Sequence, residues 1–544
     1  MAPSIPTPIL LLVLSSALTV GQISLLPELF PNLPIRRRFF AFAGVVSSLL
    51  AIYNLFIYPP FFSPFRKFPG PKNAMPIFGH TFASFERPAG QSFLRFMNEI
   101  PNDGIIRLQG LMNRDWLLLT DPASLSEVLV HKAYDYEKPS FIRQFLRIVL
   151  GDGLIVVEGD EHKFQRKHAS PAFSFRHIKD LYPLFWSKAL EMKDCVAAES
   201  KGGNEIVEIN QWANKATLDI IGVAAFGRDF HSLTTSDNEL AKNYEEILEP
   251  TANKAAFFTA HLFLPRWVIA RLPWNLNKSL KRTTGVIKRC TAQLIQDKKA
   301  LMKDQSENHV DILSILLKSN DFGDDMLGQQ LLTFLAAGHE TTSSAFTWVM
   351  YLLASHPTIQ ARLRAEIHTK LPSLSSASDP TFDLASTLES LPLLNAVCLE
   401  TLRLYPTVPV SLRVANKDTS IGTHFVPKGT RAYVVPWAIN RAEKYWGPNA
   451  TEFIPERWID EKTGRANNTG GAVSNYNILT FLHGPRSCIG KDFAKAELKC
   501  LVAVFCGAFE IEMADPDEVP IPYGALTVKP KNGMRLRLKA VSGW

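Results

Sequence analysis

The 544 residues carry 46% hydrophobic and 20% charged side chains, which supports one large folded core or two ordinary ones and excludes wholesale disorder. The formal charge of +7 is spread along the chain, without the basic clusters and interleaved aromatics that nucleic-acid binding needs. Six cysteines, at 195, 290, 398, 488, 500 and 506, show no two-residue spacing, which excludes a zinc or thioredoxin-type pair and fits a reducing, cytosolic setting.

The first element is a membrane anchor, predicted over residues 1–58. Phe39 to Tyr58 has no charge, and at roughly 1.5 Å per residue a helix of that length matches the ~30 Å hydrocarbon layer. Ile9 to Leu26 is also uncharged but contains Ser15, Ser16, Thr19, Gln22 and Ser24. A second span, an interfacial segment and a poor signal peptide all remain open for it. Arg36, Arg37 and Arg38 before the stronger span balance Arg66, Lys67 and Lys72 after it, so flanking charge does not orient it.

A proline-rich hinge is predicted over 59–72, and a catalytic domain over 73–544. The prolines remove backbone donors and favour a semi-rigid, extended path. IIRLQG and DWLLLT, Ile105 to Gly110 and Asp115 to Thr120, read as a hairpin with Asn113 near its turn. Most of the remainder has helical periodicity interrupted by polar loops, with no internal repeat, so a single mainly α domain with small β-sheets is expected. Ala255 to Ala270 is too polar, and too broken by Pro265, to span a bilayer. It reads as a core helix pair or as a surface that dips into the membrane.

Gln329 to Ala354 predicts a long buried helix. Its middle holds Gly338, Thr341, Thr342, Ser343 and Ser344, all poor interior helix formers. The sequence predicts either a packing notch or a local opening there, the latter leaving the hydroxyl of Thr341 and the carboxylate of Glu340 in a groove. LNAVCLETLRLYPTVPV ends a helix at Tyr405 and Pro406. Glu400 and Arg403 share one face of it among apolar neighbours, which predicts a buried ion pair, with Arg457 of FIPERWI as a third member.

Near the C-terminus, FLHGPRSCIG sets Cys488 between Gly484 and Gly490, with Arg486 beside it and a helix after it. Nearby cations and a helix N-terminus both lower a thiol pKa, and the two glycines permit an unusual turn and the close approach of a flat cofactor. Arg486 can neutralise a cofactor carboxylate, and Phe481 can pack beside the sulfur. A metal-ligating thiolate therefore explains this loop better than a buried structural cysteine.

FLHGPRSCIG resembles the haem-binding signature FxxGxRxCxG of the cytochrome P-450 superfamily; AGHETT looks like its oxygen-activation motif, and ETLR and PERW resemble its ExxR and PER elements. The four occur in the family's order, and the similarity runs from about Phe65 to the end. The resemblance implies the P-450 fold and haem b, iron protoporphyrin IX, with Cys488 as axial thiolate. It implies that Glu340 and Thr341 are the acid and alcohol that deliver protons during oxygen activation, and that Glu400, Arg403 and Arg457 are structural. Arg413 and Arg486 match positions that hold haem propionates. The family's WxxxR element is present as HKFQR, with His162 in place of the tryptophan and Arg166 retained; histidine can still donate to a propionate.

The same resemblance implies a monooxygenase that receives electrons from a separate NADPH-cytochrome P-450 reductase, with cytochrome b5 as an optional second donor. No dinucleotide fingerprint is present in the chain itself. Lys491, Lys495 and Lys499 offer a basic docking face near Cys488. The expected location is the endoplasmic reticulum membrane with the catalytic domain in the cytosol, as in the microsomal, fungal-like members. Phe334, Ala337, Val408, Val410, Ser411 and Leu526 are the expected pocket residues; they suit a lipophilic substrate such as a secondary metabolite. A reductase-independent isomerase or dehydratase, or a non-catalytic haem protein, is the alternative, and dependence of turnover on NADPH and reductase separates them.

Overall fold

A computed structural model describes residues 7–25, 33–201, 206–235, 257, 260, 266–271, 274–303, 311–371, 373, 382–524 and 527–541. Most of the 255–270 stretch, as well as Leu526, lies outside these residues. Helix α1 (Thr7–Leu25) packs on α2 (Ile35–Ile52). A π-helical turn at Tyr53–Ile57 and the short helix Tyr58–Phe61 prolong α2, so that one apolar helical path runs from Ile35 to Phe61. This is longer than the predicted span, because Pro34 starts the helix before the arginines and the Tyr58–Phe61 turn carries prolines at its tolerant first positions.

The predicted hairpin is present. β1 (Ile105–Gln109) pairs antiparallel with β2 (Asp115–Leu119), Ile105 opposite Leu119. Asn113 sits in the turn with φ +53°, a left-handed conformation that asparagine tolerates. The proline-rich stretch is strapped to this hairpin. Asn113 Nδ2 donates to Leu55 O at 2.7 Å, Arg107 donates to Pro59 O at 2.7 Å, and Ser63 donates to Asp115 at 2.6 Å. Arg107 and Asp115, both nearly buried, are themselves paired at 2.6 Å. At Gly70 a Cβ would stand 2.3 Å from Arg107 O, so only glycine lets the strap lie this close.

β3 (Tyr136–Glu137), β5 (Ser411–Ala415) and β8 (Arg431–Val434) complete a five-stranded sheet in the order β1-β2-β8-β5-β3. A second sheet joins β4 (Ile206–Glu208), β12 (Arg535–Ala540) and β9 (Phe509–Met513). Two small hairpins are formed by β6 (Thr419–Ile421) with β7 (His424–Val426), and by β10 (Pro522–Tyr523) with β11 (Lys529–Pro530). Helices make up the rest: α3 (Gly159–Ala169), α4 (Tyr182–Lys201), α5 (Ile209–Phe226), α6 (Asp324–Ser355), α7 (Pro392–Leu404) and α8 (Lys491–Ala508) are the ones that build the site.

Helix α6 crosses the interior and is buried on nearly all faces, which explains why its sequence is apolar around most of its circumference. It rests on α5 and α8, with Phe346 edge-on to Phe505 and Trp348 stacked on Tyr405 at 4.1 Å. The expected local opening at Gly338 does not occur. Helix α6 is continuous, and Gly338 is a packing notch: a Cβ there would meet Ile221 of α5 at 2.8 Å. The glycine brings two helices together and leaves the backbone intact.

Candidate functional site

The site lies where α6, α3, β5 and the loop before α8 converge. That loop is held by its own backbone. Cys488 N donates to Phe481 O at 2.9 Å, and Ser487 N to Gly484 O at 3.0 Å. Gly484 has φ +77°, and a Cβ on it would approach Leu129 O to 2.1 Å, so both conformation and space require glycine. At Gly490 the added Cβ would meet nothing nearer than Phe173 at 4.0 Å, which leaves one side of the loop open. The side chain of Cys488 has open surface although protein surrounds it on most sides. Desolvation raises its thiol pKa; the backbone hydrogen bond at Gly490 and the Arg166 guanidinium pull it back down.

Arg166, on α3, donates to Ser487 O at 2.6 Å. The HKFQR resemblance made this arginine a cofactor-binding residue; its hydrogen bond in the structure fixes the cysteine loop. His162, one turn earlier on the same helix, is buried, with Nδ1 3.2 Å from the Tyr134 hydroxyl. Desolvation, then Lys138, Arg486, Arg166 and Arg413, push its pKa down to about 3. The ring is therefore neutral at physiological pH and offers a single N–H, as the indole of the family pattern would.

Arg486 and Arg413 are both buried. Arg486 donates to Tyr136 O and lies 2.5 Å from Glu158, yet its Nε has no hydrogen-bond partner. Arg413 donates to Ser411 Oγ at 3.0 Å and to Leu412 O at 2.9 Å; no carboxylate among the described residues lies within ion-pair distance of it. Desolvation and then Arg486 lower the Arg413 pKa to about 10. Lys138, which no motif singled out, joins them 3.7 Å from Glu158, and desolvation lowers its pKa to about 8. Three cations thus gather at one buried carboxylate.

Behind the loop, the predicted ion pair is fully buried. Arg403 grips Glu400 with two bonds of 2.8 Å and donates to Asn440 O, Ala450 O and Glu452 O. Glu400 also accepts from Trp458 Nε1 at 2.8 Å and Ile454 N at 3.1 Å, and Arg457 stands 3.5 Å away. Asn440 joins this cluster to the cysteine loop. Its amide donates to Arg403 O and Thr480 Oγ1, and its carbonyl accepts from Leu479 N at 2.8 Å.

On α6, Thr341 donates to Ala337 O at 2.7 Å, which leaves its oxygen free to accept. Glu340 is ion-paired with Lys529 of β11 at 3.1 Å. The hairpin carrying that lysine is pinned to α6, because Val528 O accepts from Ser344 Oγ and from Trp348 Nε1. Of the expected pocket residues, Ala337 is exposed in the middle of an otherwise buried helix, and Val408 is 40% exposed. Phe334 is buried edge-on to Phe173 at 5.1 Å, Val410 is half-buried, and the Ser411 hydroxyl is engaged by Arg413.

The lysine face is smaller than expected. Lys491 is exposed, but Lys499 is buried against Glu389 at 2.7 Å. Lys495 is half-buried, and desolvation, then Lys491 and Lys499, lower its pKa to about 8.

A family profile described as Cytochrome P450 matches residues 69–537. The chain belongs to the cytochrome P450 family. Among its curated relatives, Cytochrome P450 monooxygenase sphH of Aspergillus fumigatus is 43% identical, over 92% of this chain and 93% of the relative. Cytochrome P450 monooxygenase ptmK of Penicillium ochrochloron is 38% identical over 92% and 99%, and ALT8 of Alternaria alternata 34% identical over 92% and 93%. This P450 is an oxygen-incorporating oxidoreductase whose family implies a haem-thiolate cofactor.

One residue of this P450 that the motifs did not flag is Glu497, on α8 and packed toward α6. It is buried, neither carboxyl oxygen has a hydrogen-bond partner of good geometry, and desolvation holds its pKa well above the usual range, with the Thr342 hydroxyl its nearest support. An acid inside the apolar run of α8 was the available signal. Folded Glu497 keeps a proton that the unfolded chain releases above about pH 4, so this residue's contribution to stability falls as pH rises. Glu497→Gln is expected to remove that slope, raising Tm relative to wild type increasingly between about pH 4 and pH 8 in parallel thermal melts.

Proposed function

We propose that this chain is a membrane-anchored haem-thiolate monooxygenase that oxidises a lipophilic secondary metabolite with electrons from an NADPH-dependent reductase. One observation carries the reading: a thiol with open surface lies beside a buried excess of positive charge. Lys138, Arg413 and Arg486 outnumber Glu158 by two, and Arg486 Nε lacks an acceptor. Such a surplus is costly unless anions meet it, and the two propionates of protoporphyrin IX are anions of the required number and size. The residues therefore fit haem.

Cys488 would supply the thiolate that holds the haem iron, with Arg166 favouring its charged form. Arg413, Arg486 and neutral His162 would hold the propionates, while Gly490 keeps the face of the loop clear. Haem bound there supplies the redox chemistry that cleaves dioxygen, inserting one oxygen atom into substrate and releasing the other as water, aided by electron donation from sulfur. Glu340 and Thr341 would be the carboxylate and hydroxyl that pass protons into the site, each taking a proton up as it gives one on, held where α6 and the β10-β11 hairpin place them. Ala337 and Val408 present small apolar surface, which suits a lipophilic substrate.

Lys529 is the residue through which the hairpin positions that acid. Lys529→Gln is expected to lower product formed per NADPH about tenfold with substrate-induced spectral shifts unchanged, and Glu340→Gln to lower it about 100-fold. The double variant should match Glu340→Gln, because both changes remove one interaction. Screening the purified protein against metabolite pools for haem spectral shifts, then testing turnover with and without NADPH and reductase, examines the whole reading. Turnover without either reductant or reductase would overturn it in favour of isomerisation or dehydration.

A further inference from the structure

We propose that α1 and α2 cross the bilayer as a two-helix hairpin, so that the N-terminus lies on the same side of the membrane as the catalytic domain. This rests on the membrane-anchored reading above. It goes beyond it by assigning α1 a lipid-facing surface and by fixing the chain's topology.

The side chains on α1 are turned inside out relative to a helix stable in water. Ser15, Thr19 and Gln22 recur at intervals of four and three residues and are buried against α2, whereas Leu12 and Val20 are 60% and 63% exposed. In water an amphipathic helix buries its apolar stripe; only in hydrocarbon does it face small and polar residues toward a partner helix and leave leucines outside. On α2 the facing stripe is Phe39, Phe42, Ala43 and Val46, while Phe40 and Leu49 point outward, 70% and 60% exposed.

Most polar groups described on this pair are satisfied within it, as a medium without water demands, the buried Ser15 hydroxyl being the exception. Thr19 Oγ1 donates to Ser15 O at 2.7 Å, Ser47 to Ala43 O at 2.6 Å, Ser48 to Gly44 O at 2.9 Å and Asn54 to Leu50 O at 2.8 Å. Arg38 closes the loop end, donating to Gln22 Oε1 at 3.2 Å and to Leu33 O at 2.7 Å. A long arginine at that boundary can bury its stem while its head reaches the interface. The 19 residues of α1 extend about 28 Å, close to the ~30 Å hydrocarbon thickness.

The arginine triplet does not decide between topologies. Arg36, Arg37 and Arg38 stand opposite the catalytic domain whether α2 spans alone or with α1. What differs is α1: in the single-span arrangement its outward leucines and valines would face water.

The test uses the full chain with an epitope tag ahead of Met1, expressed in sealed endoplasmic reticulum microsomes and treated with external protease. The tag and the catalytic domain should both be digested without detergent, leaving almost no tag signal. A tag that survives until detergent is added, while the catalytic domain is digested, would overturn the hairpin and leave the anchor reading standing. Release of the whole protein by alkaline carbonate would overturn both. In a second variant lacking residues 1–32, with the tag ahead of Leu33, the tag should become protected while the domain stays accessible. Digestion of both in that variant would also overturn the proposal.

Discussion

Cys488→Ser is expected to yield a folded protein whose reduced carbon monoxide complex lacks the red-displaced absorption band of a thiolate-ligated haem, and whose monooxygenase activity falls to background. The loop does not depend on sulfur for its shape. Its turn is fixed by Cys488 N on Phe481 O, by Gly484 in its left-handed conformation and by Arg166 on Ser487 O, and serine keeps all three. The variant therefore isolates the electronic contribution of one atom, since oxygen donates far less charge to iron than a thiolate does. Circular dichroism matching wild type would establish that the fold survived. A band unchanged in the variant would remove Cys488 from the axial position and end the assignment.

Glu400→Ala is expected to cost about 3–5 kcal/mol, a large share of the ~5–15 kcal/mol by which folded proteins usually exceed their unfolded state. Removing the carboxylate strands the Arg403 guanidinium in the interior, and with it Trp458 Nε1 and Ile454 N lose their acceptor. Arg403→Lys should be nearly as damaging. A lysine cannot bind both carboxylate oxygens and also reach the carbonyls of Asn440, Ala450 and Glu452. Because Asn440 and Thr480 continue from this cluster to the start of the cysteine loop, both variants should lose haem at lower denaturant than wild type. Denaturant titration followed by haem absorbance and by tryptophan fluorescence measures the two effects together. A midpoint within error of wild type for Glu400→Ala would show that the buried cluster is dispensable.

The cysteine loop and the Glu400–Arg403 pair were legible in the sequence because each is local. Their geometry is set by residues a few positions apart, and the residue types permit few alternatives. What was misread depended on partners distant in the chain. Gly338 favoured an opened helix over a notch, and only Ile221 on α5 decides for the notch. Lys499 read as a solvated lysine until Glu389 supplied its counter-charge and the neighbouring helices covered it. The hold of Arg166 on Ser487 O could not be inferred from spacing along α3. Lys529 and Lys138 carry no motif at all, and their importance comes from the sheets and hairpins that deliver them to Glu340 and Glu158.

The strap at the β1-β2 hairpin joins the N-terminal helical path to the sheet of the site. Leu55 O and Pro59 O are held by Asn113 and Arg107, side chains of the hairpin whose sheet also contributes Arg413, so the path from Ile35 to Phe61 is fixed to that sheet by hydrogen bonds as well as by the chain itself. A protein shortened to start after residue 60 would lose two acceptors of that hairpin, and with them the hold by which the sheet fixes the direction of the helical path.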